Sequence, residues 1–317
     1  DQGDYAAARP YLERALAIWE KALGPEHPDT ATCLNNLALL LQAEGDYVAA
    51  RPYLERALAI WEKALGPEHP DTATCLNNLA LLLQAEGDYV AARPCFERAL
   101  AIWEKALGPE HPDTATSLQN LANLLRAHGD YAAARPYFER ALAIDEKALG
   151  PEHPGTATCL TNFAGLFKAQ GDYAAARPYF ERALAIYEKA LRPEHPWTAT
   201  SLNNLASLLA DQGDYAAARP YLERALAIRE KALGPVHPDT AASLNNLAIL
   251  LQAQGDYAAA RPYFERALAI REKALGPEHP ATATCLENLA ILFRAQGDYA
   301  AARPYFERAL AIREKRL

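Results

Sequence analysis

The chain has 317 residues, of which 50% are hydrophobic, and a formal net charge of −8. This acidic balance argues against a nucleic-acid-binding protein, which normally carries a basic face. No apolar run approaches the length of a membrane-spanning helix. The sequence has no methionine and opens in the middle of a motif, so we expect it to be a fragment of a longer protein.

The sequence is one unit written repeatedly, because the glycine of a "GDY" motif recurs every 42 residues from Gly3 to Gly297. The segments 24–65 and 66–107 differ at only two positions. We therefore expect a truncated repeat, an orphan helix of the second type, in residues 1–23. Seven full repeats should follow it, at 24–65, 66–107, 108–149, 150–191, 192–233, 234–275 and 276–317.

Each full repeat reads as two helices. In the first of them, Pro28 opens the helix, and apolar residues recur at the helical spacing Leu34, Leu37, Leu41. Gly45 ends this helix as a C-terminal cap, and the second helix runs from about Tyr47 to Leu65. No strand signal appears. The pattern predicts an all-α, right-handed superhelical solenoid of antiparallel helix pairs, with fifteen helices that begin with an orphan at 5–23.

Two flanks of the first helix are apolar, so this helix should pack between two neighbours. The strip that remains should face away from both neighbours, along the inner wall of the stack. It is formed by the columns of Thr32, Asn35, Asn36, Leu39 and Gln42. A second variable column, which changes from aromatic to basic along the chain, lies on the second helices, and we expect these to be the outer helices of the stack. Its members are Trp19, Trp61, Trp103, Asp145, Tyr187, Arg229, Arg271 and Arg313.

The unit "LNNLA…LLLQAEGDY…A…ERALAI" resembles the tetratricopeptide repeat, whose signature slots are filled here by Leu37, Ala38, Gly45, Tyr47 and their equivalents. The ordinary unit has 34 residues. The longer unit with paired Asn and "GPEHP" is similar to the kinesin light chain class of these repeats. This resemblance implies a scaffold that binds an extended peptide in its concave groove, where Asn side chains hold the peptide backbone. That role would fall on Asn36, Asn78, Asn120, Asn162, Asn204, Asn246 and Asn288.

An amide suits this task because it carries both a donor and an acceptor. The same side chains could instead bond the neighbouring helix and fix the stacking, and the two roles are compatible. Columns that vary should provide specificity. Asn123, Arg126 and Lys168 make the middle of the groove polar and cationic, whereas its ends are apolar. We therefore expect a protein or peptide partner with acidic residues and apolar flanks, unless this variation is neutral.

The sequence predicts no catalytic residues, no metal site and no cofactor. The histidines of "EHP" and "VHP" lie one per loop, so no two of them can share a metal ion. No nucleophilic set and no phosphate-binding glycine loop breaks the repeat. We therefore expect a protein that is not an enzyme.

The cysteines indicate a reduced, cytoplasmic-type protein. Adjacent helix layers are about 8–10 Å apart, beyond the ~7 Å limit for a disulfide. Most of the cysteines share one column with serines, so this column selects a small side chain. Its members are Cys33, Cys75, Ser117, Cys159, Ser201, Ser243 and Cys285.

Three functions remain open at this point. The first is a non-enzymatic scaffold for an extended peptide, and the second is a structural repeat array, natural or designed, without a native ligand. The third is the sensor arm of a larger signalling protein. We also expect head-to-tail self-association, because both ends of the array expose apolar side chains. These are Ala6, Leu12, Ala15 and Leu16 at the start and Tyr305, Phe306, Leu310 and Ile312 at the end.

Overall fold

The computed structural model describes residues 5–314, with side chains from Ala7 onward, and all regular structure in this range is helical. The predicted all-α helical-repeat architecture is confirmed. Residues 1–4 and 315–317, which belong to the first and last predicted segments, lie outside the described range, as does the side chain of Ala6. The helices are α1 (Tyr5–Leu23), α2 (Pro28–Ala43), α3 (Tyr47–Ala64), α4 (Pro70–Ala85), α5 (Tyr89–Ala106), α6 (Pro112–Ala127), α7 (Tyr131–Ala148), α8 (Pro154–Ala169), α9 (Tyr173–Leu191), α10 (Pro196–Asp211), α11 (Tyr215–Leu233), α12 (Pro238–Ala253), α13 (Tyr257–Leu275), α14 (Pro280–Ala295) and α15 (Tyr299–Glu314).

The chain forms two compact units, Asp1–Gln170 and Gly171–Leu317, which we call the N-terminal and the C-terminal unit. We call the even-numbered helices first helices and the odd-numbered helices second helices. In the N-terminal unit, α2, α4 and α6 each pack against the second helix before them and the one after them. The same holds for α10, α12 and α14 in the C-terminal unit. Each of these six first helices is thus buried on two sides, as its two apolar flanks predict.

Local signals set the helix ends. The His27 side chain caps α2, because its Nδ1 accepts a hydrogen bond from the backbone N–H of Asp29 at 3.2 Å. After α2, Gly45 adopts a φ of 76°, a left-handed conformation that glycine reaches without strain. Asp46 then caps α3 by accepting from the backbone N–H of Ala49 at 3.2 Å. Each short turn therefore stops one helix and starts the next within three residues.

Several members of the variable column of the second helices are buried. Trp61 is 5% exposed, Asp145 is 3% exposed and Arg229 is 8% exposed. These side chains lie in the joint between a second helix and the neighbouring first helices, and we call them joint residues.

The joint residue Asp145 is a buried carboxyl in the N-terminal unit. Gln119 of α6 donates a hydrogen bond from its Nε2 to Asp145 Oδ2 at 3.1 Å. The Cys159 thiol of α8 bonds the same carboxyl group. Burial raises the pKa of Asp145 to about 6, although these two bonds and the nearby His153 oppose the rise. The carboxyl group therefore titrates well above the usual range for aspartate.

The two ends of the array differ in how well they are covered. At the C-terminal end, Ile312 is only 5% exposed because it packs with Ala283, Leu286 and Ala309. The expectation that Ile312 lies open is therefore wrong, whereas Leu310 remains 57% exposed. On α1, Leu12, Ala15 and Leu16 are partly covered. Tyr11 and Ile18 of the same helix are 75% and 55% exposed.

Replacing Asp145 with Asn should favour folding more at neutral pH than in acid. The folded state raises the pKa of Asp145 above its unfolded value, so the carboxyl group favours folding at low pH and this contribution is lost as the pH rises through about 6. Asn does not titrate. Urea unfolding of D145N and wild type at pH 4.5 and pH 7.5 should show a gain for D145N that is larger by about 1–2 kcal/mol at the higher pH. Parallel pH profiles of the two proteins would contradict this picture of Asp145.

Candidate functional site

The paired Asn residues form two columns: the first contains Asn35 and its equivalents, and the second contains Asn36 and its equivalents. The second column lies on an exposed face of the first helices. In α2, Thr32, Asn36 and Leu39 are exposed and Gln42 is half-buried. We call this surface, and its equivalents on the other first helices, the amide face. Asn35 does not belong to it, which corrects the sequence analysis, because Asn35 is 7% exposed and points to the neighbouring repeat.

The two Asn columns form a ladder of side-chain hydrogen bonds between adjacent first helices. In the N-terminal unit, the Nδ2 of Asn78 donates to Oδ1 of Asn35 at 2.9 Å. Each further rung repeats this contact one repeat later. The other rungs are Asn120 to Asn77 at 2.8 Å and Asn162 to Gln119 Oε1 at 3.0 Å, and in the C-terminal unit Asn288 to Asn245 at 2.7 Å.

The ladder orients the second-column amides but leaves part of their hydrogen-bonding capacity unused. A rung uses one N–H of the second-column amide, so its oxygen and its other N–H stay available on a half-exposed side chain. Asn36 forms no rung and is exposed, and Asn204 and Asn246 are half-buried and form no rung within residues 171–314. Sequence reasoning missed the first-column acceptors, although the paired amides 43 residues apart were the signal that could have identified them.

In the N-terminal unit, Arg126 rests in a notch on the neighbouring first helix. A Cβ atom at Gly165 would lie only 2.5 Å from Arg126 Nη1, so the guanidinium occupies the space that any other side chain would fill. Burial lowers the pKa of Arg126. Arg126 Nε and Asn123 Oδ1 are both buried, and neither has a hydrogen-bond partner among the described residues. The half-buried Lys168 follows one repeat later on α8.

The amide face is apolar on either side of these polar residues along the chain. Leu39 and Leu81 precede Arg126 in the N-terminal unit and are 40% and 41% exposed. In the C-terminal unit the same column holds Ile249, which is 46% exposed, and the half-buried Ile291. Leu39 and Leu81 occupy equivalent positions on two first helices that touch, α2 and α4.

The described residues contain neither a candidate metal site nor a helix that could span a membrane. Within residues 5–314, no three side chains of His, Cys, Asp or Glu come together in a way that could hold a metal ion. No helix in the same range combines the length and the apolar composition that crossing a bilayer requires. The five cysteines are free.

Comparisons with known proteins point to one repeat family. The tetratricopeptide repeat family matches seven overlapping stretches, residues 1–59, 34–93, 76–147, 129–189, 166–231, 197–273 and 239–315. No curated protein matches the chain. Among solved structures, a Podosopora anserina protein described as a kinesin light chain with nearly identical TPR-like repeats is 32% identical, with a TM-score of 0.54, over 65% of this chain and 98% of that one.

Two further structures are similar. BtubC (BKLC) from P. vanneervenii is 25% identical, with a TM-score of 0.58, over 73% of this chain and 91% of that one. The apo form of RapI is 17% identical, with a TM-score of 0.62, over 90% of this chain and 98% of that one. At this identity, the likeness to RapI concerns the fold alone.

The ladder predicts unequal costs for chemically identical substitutions. N78A removes the donor to the buried Asn35 oxygen and should cost about 1–3 kcal/mol, because that acceptor is left unsatisfied. N36A makes the same change at an exposed amide without a rung and should stay within about 0.5 kcal/mol. Urea unfolding gives both stability changes from the shifts in midpoint, provided that the free energy of unfolding depends equally on urea concentration in all proteins. Equal shifts for the two variants would contradict a stabilising ladder.

Proposed function

Because this chain belongs to the tetratricopeptide repeat family, we propose that it is a non-enzymatic scaffold that binds an extended segment of a partner protein along its amide face. The kinesin light chain-like neighbours support a protein-interaction role of this kind. The observation that carries the proposal is Arg126, a cation held in the Gly165 notch beside buried polar atoms without partners.

The ladder supports backbone recognition in addition to stability. A peptide backbone offers an N–H and a C=O in every residue, and a single Asn amide can pair with both of them. Rungs at Asn78, Asn120, Asn162 and Asn288 already hold these amides in one orientation, so binding costs little side-chain entropy there. The structural and the binding role of the column are therefore compatible, and the second benefits from the first.

The spacing of the helices suggests which peptide fits the N-terminal unit. First helices that touch, such as α2 and α4 or α6 and α8, are about 8–10 Å apart. An extended peptide rises about 3.3 Å per residue, so about three residues pass each repeat. A carboxylate facing Arg126 would then place apolar residues three and six positions away against Leu81 and Leu39. We propose a partner with the pattern Leu-x-x-Leu-x-x-Glu, in either chain direction.

Gly165→Ala should separate binding from folding. Alanine favours a helix over glycine by up to about 1 kcal/mol, so G165A should unfold at a higher urea concentration than wild type. Its new Cβ would clash with Arg126 Nη1, which is the flexible end of a side chain, so the guanidinium must leave the notch while the helices stay in place. Calorimetric titration with the peptide Leu-Gly-Ser-Leu-Gly-Ser-Glu, and with its reversed order, should show weaker binding by about tenfold.

Three comparisons make this titration decisive. R126Q should weaken the Glu peptide by a similar factor, and the loss should shrink in high salt. R93Q removes an equal charge from an exposed ion pair on α5 and should leave binding unchanged. A peptide with Gln in place of Glu should not distinguish wild type from R126Q. If neither peptide order binds in low salt, the result contradicts the peptide-binding scaffold and favours a structural array without a ligand.

Self-association through the ends remains part of this proposal, but its geometry differs from the internal joints. Inside each unit a second helix packs against a first helix, whereas α1 and α15 are both second helices. A head-to-tail contact between chains would therefore pair two helices of the same type through Ile18 and Leu310, which are more than half exposed. Burial of one such side chain contributes about 1.5–3 kcal/mol, which favours association.

Sedimentation velocity over a concentration series tests this contact. We expect wild type to sediment faster as the concentration rises, and L310E to remain a monomer because it places a charge in the apolar contact. T74E introduces the same charge at an exposed position of α4, away from both ends, and serves as the surface control that should still associate. A concentration-independent profile for wild type would contradict the self-association.

A reducing, cytoplasmic-type setting is also proposed. It is supported by the free cysteines and by the exchange of Cys for Ser at one buried column, for example Cys75 and Ser117. Burial raises the pKa of Cys75 to about 12, so this thiol is a poor nucleophile and behaves as a small core residue.

A further inference from the structure

The amide ladder lacks a rung inside the C-terminal unit. Asn246 should donate to Asn203 by the pattern of the other rungs, but its side chain has no partner among the described residues. Asn203 instead donates from Nδ2 to the Ser243 hydroxyl at 3.3 Å. The Oδ1 of Asn203, which would accept the rung, is buried without a hydrogen-bond partner. Asn203 is thus committed to Ser243 and not to Asn246.

A buried arginine holds the Ser243 hydroxyl in this position. Arg229 is 8% exposed and donates from Nη1 to Ser243 Oγ at 3.1 Å and to the backbone oxygen of Asp239 at 3.0 Å. Its Nη2 donates to Thr200 Oγ1 at 2.9 Å. A hydroxyl has two acceptor lone pairs, so Ser243 can accept from Arg229 and Asn203 together. Contacts with α10 and α12 fix the guanidinium, and through it the hydroxyl.

Other repeats of the same chain show that both residues are needed. At the joint between α5 and α6, the joint residue is Trp103, the Ser117 hydroxyl is unpartnered, and the rung from Asn120 to Asn77 is intact. A serine alone therefore does not remove the first-column amide from its rung.

The converse combination occurs one repeat after Arg229. There the joint residue is Arg271, the small residue is Cys285, and the rung from Asn288 to Asn245 is intact at 2.7 Å. Arg271 donates to the backbone oxygen of Ala281, as Arg229 does to Asp239. An arginine alone is therefore not sufficient, and the rung is missing where arginine and serine occur together.

We propose that Arg229 and Ser243 are positioning residues that release the Asn246 amide to serve as the main backbone anchor of the C-terminal unit. This inference rests on the proposed function. Both N–H groups and the oxygen of Asn246 are then available to the N–H and C=O of one residue in an extended peptide. Ile249, three residues along the same helix and 46% exposed, lies beside that anchor. The expected ligand is an extended segment whose anchored residue is next to an apolar side chain.

The binding experiment uses the uncharged peptide Gly-Ser-Leu-Gly-Ser-Leu-Gly-Ser and the full chain. N246A should weaken this peptide by about tenfold, because two backbone hydrogen bonds are lost. N288A, the comparison at an amide with an intact rung, should weaken it by a smaller factor, because Asn288 already donates one N–H to Asn245. S243C introduces the residue found at 285 and should restore the rung from Asn246 to Asn203. In the S243C background, N246A should therefore weaken the peptide no more than N288A does.

A second measurement does not require a ligand. Hydrogen exchange of side-chain amides, followed by NMR, should be faster at Asn246 than at Asn288 in wild type. S243C should slow the exchange at Asn246 to the level of Asn288, and R229W, which restores the residue type of Trp61, should do the same. Equal exchange at the two amides in wild type, or no change in S243C, would overturn the inference.

The outcomes separate this inference from the proposed function. If the peptide binds and N246A matches N288A in wild type, the scaffold proposal stands and the role of Arg229 and Ser243 is wrong. If the peptide does not bind while the exchange difference follows S243C, the released amide is supported and peptide recognition at this face is contradicted. Both proposals are supported if S243C abolishes two differences together: the difference in peptide binding between N246A and N288A, and the difference in amide exchange between Asn246 and Asn288.

Discussion

The structure depends on the joint between a second helix and the first helices next to it. A helix pair alone would leave one flank of its first helix open, so folding requires a neighbour on each side. Alanine in the tightest column, such as Ala38, lets the helices approach closely. The joint residues and the ladder, which distinguish one repeat from another in this chain, lie in or beside this joint.

The joint also explains how a nearly identical repeat can carry different chemistry. The surrounding helices stay the same when the joint residue changes from Trp61 to Asp145 or Arg229, but the polar groups it meets do not. Asp145 engages a first-column Gln119, whereas Arg229 engages Ser243 and through it the neighbouring Asn203. A buried polar group requires a partner, so the joint residue and the small residue beside it together decide which side chains near the amide face are bonded.

Stability and recognition both use the second-column amides, so each rung trades bonding capacity for a fixed orientation. A rung between Asn288 and Asn245 satisfies a buried oxygen and orients the exposed amide, but it uses one of its donors. Without the rung, Asn203 keeps a buried unsatisfied oxygen, which costs free energy, and Asn246 keeps its full capacity to bond. The Gly165 notch follows the same principle, because glycine weakens the helix and in return gives Arg126 its place.

The sequence by itself determined the helices, their order and the exposed second Asn column, because helix caps and apolar periodicity are local signals repeated every 42 residues. It assigned Asn35 to the amide face, and this assignment was wrong. Spacing along one helix does not indicate which neighbour a side chain meets. Only the tertiary structure decided that Asn35 accepts from Asn78, that Gly165 accommodates Arg126, and that Arg229 reaches Ser243. These contacts join helices that are distant in sequence, and they depend on packing angles that no single repeat encodes.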